Sequence, residues 1–270
     1  MDDERTRVAV AERAARAGAA VALDAFRDDI DVETKDGKTD VVTWADRRTQ
    51  ERVIEIIRGV YPDDAVVGEE EDALKEVPEE GPAWVVDPID GTNNFVRDLP
   101  IWATSVAAVR DGEPVAAANV LPAWGDAYVA GPDGVTRNGH EVSARDVEDP
   151  EQCTVAPTIW WDFDHREEYA AACEAIVQRF GDMRRLGCAQ ATLSLVAAGG
   201  LDGTITNVDP NPWDSVAGAF MVERAGGTVT GLDGEPWRHD SPGFVASSGA
   251  CHDVVLEAAR EIEGDVGVWD

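Results

Sequence analysis

Apolar residues recur at helical spacing from residue 4 to about 27, where Val8, Ala11, Ala15, Ala19, Ala22, Leu23 and Phe26 share one face. A polar loop with Lys35, Gly37 and Lys38 follows. The stretch TWADRRTQERVIEIIRGVYP then sets Ile54, Ile57 and Val60 on one stripe, with Thr43 as the expected N-cap and Pro62 as the stop. AVVGEEE reads as a short strand running into carboxylates. Residues 72–82 read as an acidic loop closed by Gly81-Pro82.

From WVVDPIDGTNNF (84–95) onward the pattern turns to β. Val85 and Val86 bring a strand out of a core, and Pro88 is expected to fix a turn. ATSVAAVRDGEPVAAANVL is two apolar runs joined at Asp111-Gly112, a hairpin signal. Short strands continue through DAYVAGPDGVTRNGHEV. After Pro150 strands and helices alternate: strand 153–157, helix 165–180, strand 183–186, helix 189–199, strand 201–207, helix 213–226, strands near Val229 and 244–246, and a helix from about 252. The expected class is α+β followed by α/β. Pro150 divides an N-terminal half, 1–150, from a C-terminal half, 151–270, packed together as one functional unit.

Composition narrows the partners. Of 270 residues, 54 are acidic and 23 basic, giving a net charge of −31 with only three lysines. Nucleic-acid binding through the general surface is excluded, because phosphate contacts need basic patches. The acids are scattered among apolar runs, which indicates a folded protein with an acidic shell, as adaptation to high salt produces. The four cysteines show neither CxxC nor zinc-like spacing and read as core thiols of a reducing compartment. The N-terminus is charged from residue 2, unlike a signal peptide, and no apolar stretch is long enough to cross a bilayer. A soluble, cytoplasmic protein without membrane partners is expected.

Most of the acidic clusters, Glu70 to Glu80 included, read as solvated loop. Asp87 and Asp90 differ. Two carboxylates converging where a strand leaves the core repel one another unless a cation or proton lies between them. Oxygen-only ligands suit a hard cation such as Mg²⁺, which shares a few carboxylates with a phosphate. Gly91-Thr92 follows where a helix starts, and its N–H groups can hold an anion. Glu69, after Gly68, ends another apolar strand. Asp214 opens a helix, either as its N-cap or as a third ligand.

These segments resemble the inositol monophosphatase family, within the wider fructose-1,6-bisphosphatase-like sugar phosphatases. KDGKTDVVTWAD (35–46), VVGEEE (66–71), WVVDPIDGTNNF (84–95), MRRLGCAQATLSLVAAGGLDG (183–203) and NPWDSVAGAFMVERAGG (211–227) carry the likeness. The resemblance implies a layered α-β-α-β-α sandwich and hydrolysis of a small phosphate monoester with two or three Mg²⁺ per site. It implies metal ligation by Glu69, Asp87, Asp90, Asp214 and the carbonyl of Ile89. Thr92, paired with Asp46 and assisted by Glu69, would orient or deprotonate the attacking water. Gly91 and Thr92 would hold the phosphate, and Lys35 lies near the site. Inhibition by lithium and a homodimer are further implications.

Departures from the family pattern bear on substrate. Asn207 stands where animal members have a glutamate for a substrate hydroxyl, and Cys188 replaces the usual Ser or Thr, removing a good hydrogen-bond donor. Arg185 either meets a second phosphate or sugar hydroxyl, or forms a surface ion pair. Trp160 and Trp161 read as core or subunit contact, with nothing to make them a stacking platform. GGLDG (199–203) lacks nucleotide-loop spacing and reads as a helix end and turn. The expected substrates are inositol monophosphate and fructose 1,6-bisphosphate, with Asp90 also in contact with substrate. Alternatives are a 3′-phosphoadenosine 5′-phosphate phosphatase and a non-catalytic acidic metal-binding protein.

Overall fold

A computed structural model describes residues 2–28, 32–34, 41–70 and 73–262, with backbone alone given at 2, 32–34 and 41–43. Helix α1 spans Asp2–Ala25. A short hairpin, β1 (Val32–Thr34) and β2 (Val41–Thr43), leads to α2 (Trp44–Arg58). The loop carrying Lys35, Gly37 and Lys38 and the side chain of Thr43 lie outside the described residues. Val60 falls beyond the end of α2 and is exposed, so Val53 and Ile57 form the buried stripe.

The large sheet has seven strands among the described residues, in the order β3-β4-β5-β6-β7-β8-β9. These are β3 (Ala65–Gly68), β4 (Pro82–Asp90), β5 (Ala103–Arg110), β6 (Glu113–Leu121), β7 (Asp126–Gly131), β8 (Gly134–Arg137) and β9 (His140–Val142). One turn of helix, α3 (Thr92–Phe95), follows β4. The β5–β6 hairpin turns at Asp111 (φ 53°) and Gly112 (φ 80°), both in the left-handed region that matches strand twist in two-residue turns.

The second sheet runs β11-β10-β12-β14-β13, from β10 (Thr154–Pro157), β11 (Asp182–Met183), β12 (Gly203–Thr206), β13 (Thr228–Thr230) and β14 (Phe244–Ser247). The strand expected over 183–186 is therefore only two residues long. Helices α4 (Arg166–Arg179), α5 (Ala189–Ala197), α6 (Pro212–Arg224) and α7 (His252–Arg260) are the remaining α-helices among the described residues.

Three cores make this a five-layer sandwich. Val10, Ala11, Ala14 and Ala15 of α1 and Val53 and Ile57 of α2 pack on Trp84, Val86 and Val106 of the large sheet. Leu193 and Val196 of α5 and Val216, Ala217 and Phe220 of α6 fill the space between Val85, Ala107 and Leu121 on one side and Ala156, Phe244 and Ala246 on the other. Ile176 of α4 and Val255 and Leu256 of α7 cover Val155, Ile205 and Val245 on the outer face of the small sheet. The order is α1α2, large sheet, α5α6, small sheet, α4α7. Cys153, Cys188 and Cys251 are buried thiols. Among the described residues no helix is long and apolar enough to cross a membrane.

Candidate active site

The middle helices and β4 converge on a cavity of about 620 Å³ whose lining includes Glu69, Asp90, Gly91, Thr92, Arg185 and Asp214. Strand β4 explains how two aspartates three residues apart come to share it. Side chains alternate along a strand, so positions i and i+3 point to opposite faces. Trp84 and Val86 face α1 and α2, Val85 faces α5 and α6, and Asp87 should follow Val85. Asp87 pairs with Ser105 but Asp90 pairs with Ala103, so β4 spends three residues where β5 spends two. This bulge flips the alternation. Ile89 then packs with Ala22, Ala45 and Phe95 on the α1–α2 side, and Asp90 returns to the side of Asp87. Pro88 therefore sits within the strand at a bulge, which tolerates its missing N–H, and its carbonyl accepts from Thr104 Oγ1 at 2.8 Å. The turn expected at Pro88 does not form.

Carboxylate oxygens of Asp87, Asp90 and Asp214 lie within 4.8 Å of one another, among the described residues. Asp87 is 2% exposed, and its Oδ1 has no hydrogen-bond partner among the described residues. Burial pushes its pKa well above the ordinary carboxylate range, and Glu69, Asp90 and Asp214 push it further. Burial and then Asp90 raise Asp214 to about 7. Asp90 is raised by burial too, but donors at the start of α5 oppose the shift. Cys188 Sγ donates to its Oδ2 at 2.9 Å, Ala189 N–H to its Oδ1 at 3.1 Å and Gln190 N–H to its Oδ2 at 2.5 Å. Cys188 also accepts from Ala191 N–H at 3.3 Å as the N-cap of α5. The buried thiol is thus itself a donor at this position, so replacing Ser or Thr by Cys does not remove one.

Asp214 is not the N-cap of α6. Asn211 holds that position with Pro212 behind it, and its Nδ2 donates to Asp214 Oδ2 at 3.0 Å. Thr92 Oγ1 lies 3.0 Å from the Ile89 carbonyl and 3.4 Å from Asp46 Oδ1, and Asp46 is buried in the first turn of α2. Gly91 takes φ 93°, and a Cβ there would lie 3.1 Å from the Gly187 and Ile101 carbonyl oxygens; the chain can pass only as glycine. Glu69 is half-buried at the exit of β3.

A buried, converging set of oxygen ligands with one oxygen unsatisfied fits a hard divalent cation. The sequence model of the inositol monophosphatase family matches residues 3–263. The chain belongs to this family. A Thermotoga maritima protein named fructose-1,6-bisphosphatase/inositol-1-monophosphatase is 33% identical over 238 residues, covering 87% of this chain and 89% of the relative. An Aquifex aeolicus protein of the same name is 32% identical over 269 residues, covering 97% and 98%. Nus factor SuhB of Escherichia coli is 33% identical over 227 residues, covering 81% and 82%. The solved Thermotoga maritima IMPase matches with a TM-score of 0.86 at 30% identity, over 99% of this chain and all of that one. The layered fold and phosphatase chemistry of this superfamily go with that membership.

Other family-motif positions scatter. Lys35 lies outside the described residues. Asn207 does not line the cavity with the aspartates. Its Oδ1 accepts from Trp161 Nε1 at 2.6 Å and its Nδ2 donates to Glu168 at 2.5 Å, in a neighbouring cleft of about 260 Å³. Arg185 lines the main cavity, and its Nη2 donates to the Ile159 carbonyl at 3.0 Å rather than to a surface carboxylate. Trp161 is buried, but Trp160 is 44% exposed and lines the cavity, so only one of the pair is core.

Three contributors escaped the sequence reading. Glu70 is buried rather than solvated, with its N–H bonded to Gln50 Oε1 at 3.1 Å and its carboxylate 3.9 Å from Arg47. Lys75 Nζ donates to the carbonyls of Gly68, Glu69 and Glu70 at 2.9, 2.8 and 3.0 Å, fixing the turn that carries Glu69. A lone lysine in an acidic loop was the available signal. Arg166 lines the cavity with its guanidinium 5.1 Å from the Trp160 ring centroid and 4.6 Å from that of Phe163. Its Nε is buried without a partner among the described residues.

Proposed function

We propose that the protein is a Mg²⁺-dependent phosphomonoesterase acting on small phosphorylated polyols and sugars, with inositol monophosphate and fructose 1,6-bisphosphate as its substrates. The observation that carries this reading is the triple-aspartate cluster with the unpartnered Asp87 oxygen. Asp87, Asp90 and Asp214, with Glu69 and the Ile89 carbonyl, would hold two or three ions. Bound Mg²⁺ supplies charge neutralisation for the phosphoryl group and a more acidic water.

The chain's own residues do the rest. The phosphoryl group sits against the N–H groups of Gly91 and Thr92, where α3 begins. Asp46 accepts the Thr92 hydroxyl proton, which leaves the Thr92 oxygen to take a proton from the attacking water, and Glu69 is a second acceptor at the same cavity. The water oxygen attacks phosphorus, the ester P–O bond breaks, and the proton that the attacking water gave up passes to the leaving alkoxide. Positioning and charge dominate such a transfer.

Arg185 and Arg166, which line the same cavity, favour a second phosphate, because guanidinium groups grip phosphate oxygens in pairs. That supports the bisphosphate as a substrate, and the two relatives that bear the bisphosphatase/monophosphatase name agree with it. Trp160 on the cavity wall keeps 3′-phosphoadenosine 5′-phosphate as a second reading, since an exposed indole can stack on a base.

The test is phosphate release at high KCl with Mg²⁺ from these three esters, with Asp90→Asn as the inactive control and millimolar Li⁺ as an inhibitor. Release from either of the first two, lost in the variant, supports the proposal. Silence on all three from folded protein favours a non-catalytic metal-binding role.

A further inference from the structure

We propose that Gln190 is a positioning residue that holds the Asp90 and Asp214 carboxylates at the spacing a divalent cation needs. The inference rests on the reading of those two aspartates as metal ligands.

Gln190 is fully buried and touches three elements. Its N–H donates to Asp90 Oδ2 at 2.5 Å, at the end of β4. Its Nε2 donates to the Trp213 carbonyl at 2.7 Å, one residue before Asp214 in α6. Its Oε1 accepts from Asn119 Nδ2 at 2.9 Å in β6, and that amide nitrogen also lies 3.0 Å from Ser194 Oγ. One residue therefore bonds directly to one proposed ligand and to the peptide preceding another, while a central strand braces its side chain.

The surroundings argue against a mere filler. Leu193, Val196, Val216 and Ala217 make this layer apolar, and an amide there costs stability unless its bonds are made. A hydrocarbon of the same volume would fill the space. Gly218 shows how close α6 comes, since a Cβ there would lie 2.9 Å from Gln190 Oε1 and 2.4 Å from Leu193 Cβ. The α5–α6 distance and the amide are matched, so removing the amide's bonds frees the start of α6 to shift. Residues that orient metal ligands from outside are worth about 10- to 100-fold in metal affinity or activity.

The test is thermal denaturation of the full chain over a MgCl₂ titration, with Mg²⁺-dependent phosphate release measured in parallel, for wild type, Gln190→Met, Asn119→Ala and Asp214→Asn. Gln190→Met, similar in volume and keeping the backbone bond to Asp90 but unable to make the side-chain bonds to Trp213 and Asn119, is expected to raise the half-stabilising Mg²⁺ concentration about tenfold. Its kcat should fall with the substrate KM unchanged. Asn119→Ala, which removes the brace and the Ser194 contact but leaves the Gln190 bonds to Asp90 and Trp213 in place, should raise the midpoint about threefold, the size of one modest hydrogen bond, and it decides the matter if Gln190→Met does not fold. A lowered Tm with an unmoved Mg²⁺ midpoint would make Gln190 a structural residue and overturn the proposal. If Asp214→Asn loses the Mg²⁺ response and Gln190→Met keeps it, the positioning role alone fails. If Asp214→Asn also responds like wild type, the ligand reading fails with it.

Discussion

Replacing Asp87 with asparagine should stabilise the metal-free protein and cripple the metal-loaded one. Asp87 is 2% exposed and shares a space of 4.8 Å with two other carboxylates. At an effective dielectric of about 20, two unit charges at that separation repel by about 3–4 kcal/mol. The site reduces this by taking up protons, as the raised Asp87 and the value of about 7 at Asp214 indicate, but proton uptake from dilute solution has its own cost. The substitution Asp87→Asn would remove one charge at nearly constant shape, and the new amide would find acceptors in Asp90 and Asp214. The expected gain in EDTA at about pH 8 is about 2 kcal/mol, or about 4–8 °C in Tm for a chain of this size. A raised folded-state pKa means that the folded protein binds the extra proton between 3.8 and about 7 at Asp214. The penalty is therefore full above that window and fades as pH falls through it, and the advantage of the variant should fade with it.

With Mg²⁺ the order should reverse. Wild type should gain stability by mass action, about 2.7 kcal/mol at one hundred times Kd, and the variant, lacking one proposed ligand, should gain little and release no phosphate. Differential scanning calorimetry in EDTA and in MgCl₂ reads both halves. A variant less stable than wild type in EDTA, or equally stabilised by Mg²⁺, refutes the argument. Asp90→Asn gives the contrast. Asp90 accepts three donors from the start of α5, so the same substitution there should destabilise the metal-free chain.

Three further outcomes follow from single contacts. Gly218→Ala drives a Cβ to 2.4 Å from Leu193 and should cost about 1–3 kcal/mol in urea denaturation, as overpacking does. His252 is buried between Ser247 Oγ at 2.8 Å and Thr230 Oγ1 at 3.0 Å, and burial lowers its pKa. Its contribution is complete above about pH 6.5 and is lost as pH falls through the depressed folded value, so His252→Gln in Mg²⁺-saturated protein should flatten the acid side of the stability profile. Lys75→Met removes three donors from the turn at 68–70, and it should lower kcat while costing only about 1 kcal/mol, since the side chain is exposed.

Local signals in the sequence placed most elements, because helices, hairpins and their stops depend on neighbours: the chain turns at Asp111-Gly112, as that dipeptide signals. The candidate ligands were legible for a related reason, since an aspartate pair at the end of an apolar run is a local anomaly. What depended on distant partners was not. Glu70 looked like one acid in a solvated run, yet it is buried and its N–H is held by Gln50, twenty residues away in sequence. Asn207 is held by Trp161, forty-six residues away. Asp214 was open to reading as a cap because Asp commonly caps, although Asn211-Pro212 carried the better signal, proline favouring the first helical position. The bulge at Pro88 was invisible because register is a property of two strands, β4 and β5.

That bulge links fold and chemistry. Without it Asp90 would point toward α1 and α2, away from Asp87, and α5 would lose the carboxylate that caps it. With it, Asp90 is neutralised in part by α5 while Asp87 is left with a bare oxygen. The two aspartates therefore carry opposite loads: one ties the large sheet to the middle layer, and the other holds a charge that the fold alone does not compensate. Shifting the strand by one residue would abolish both at once, so the spacing D-P-I-D is a requirement of packing as much as of the site.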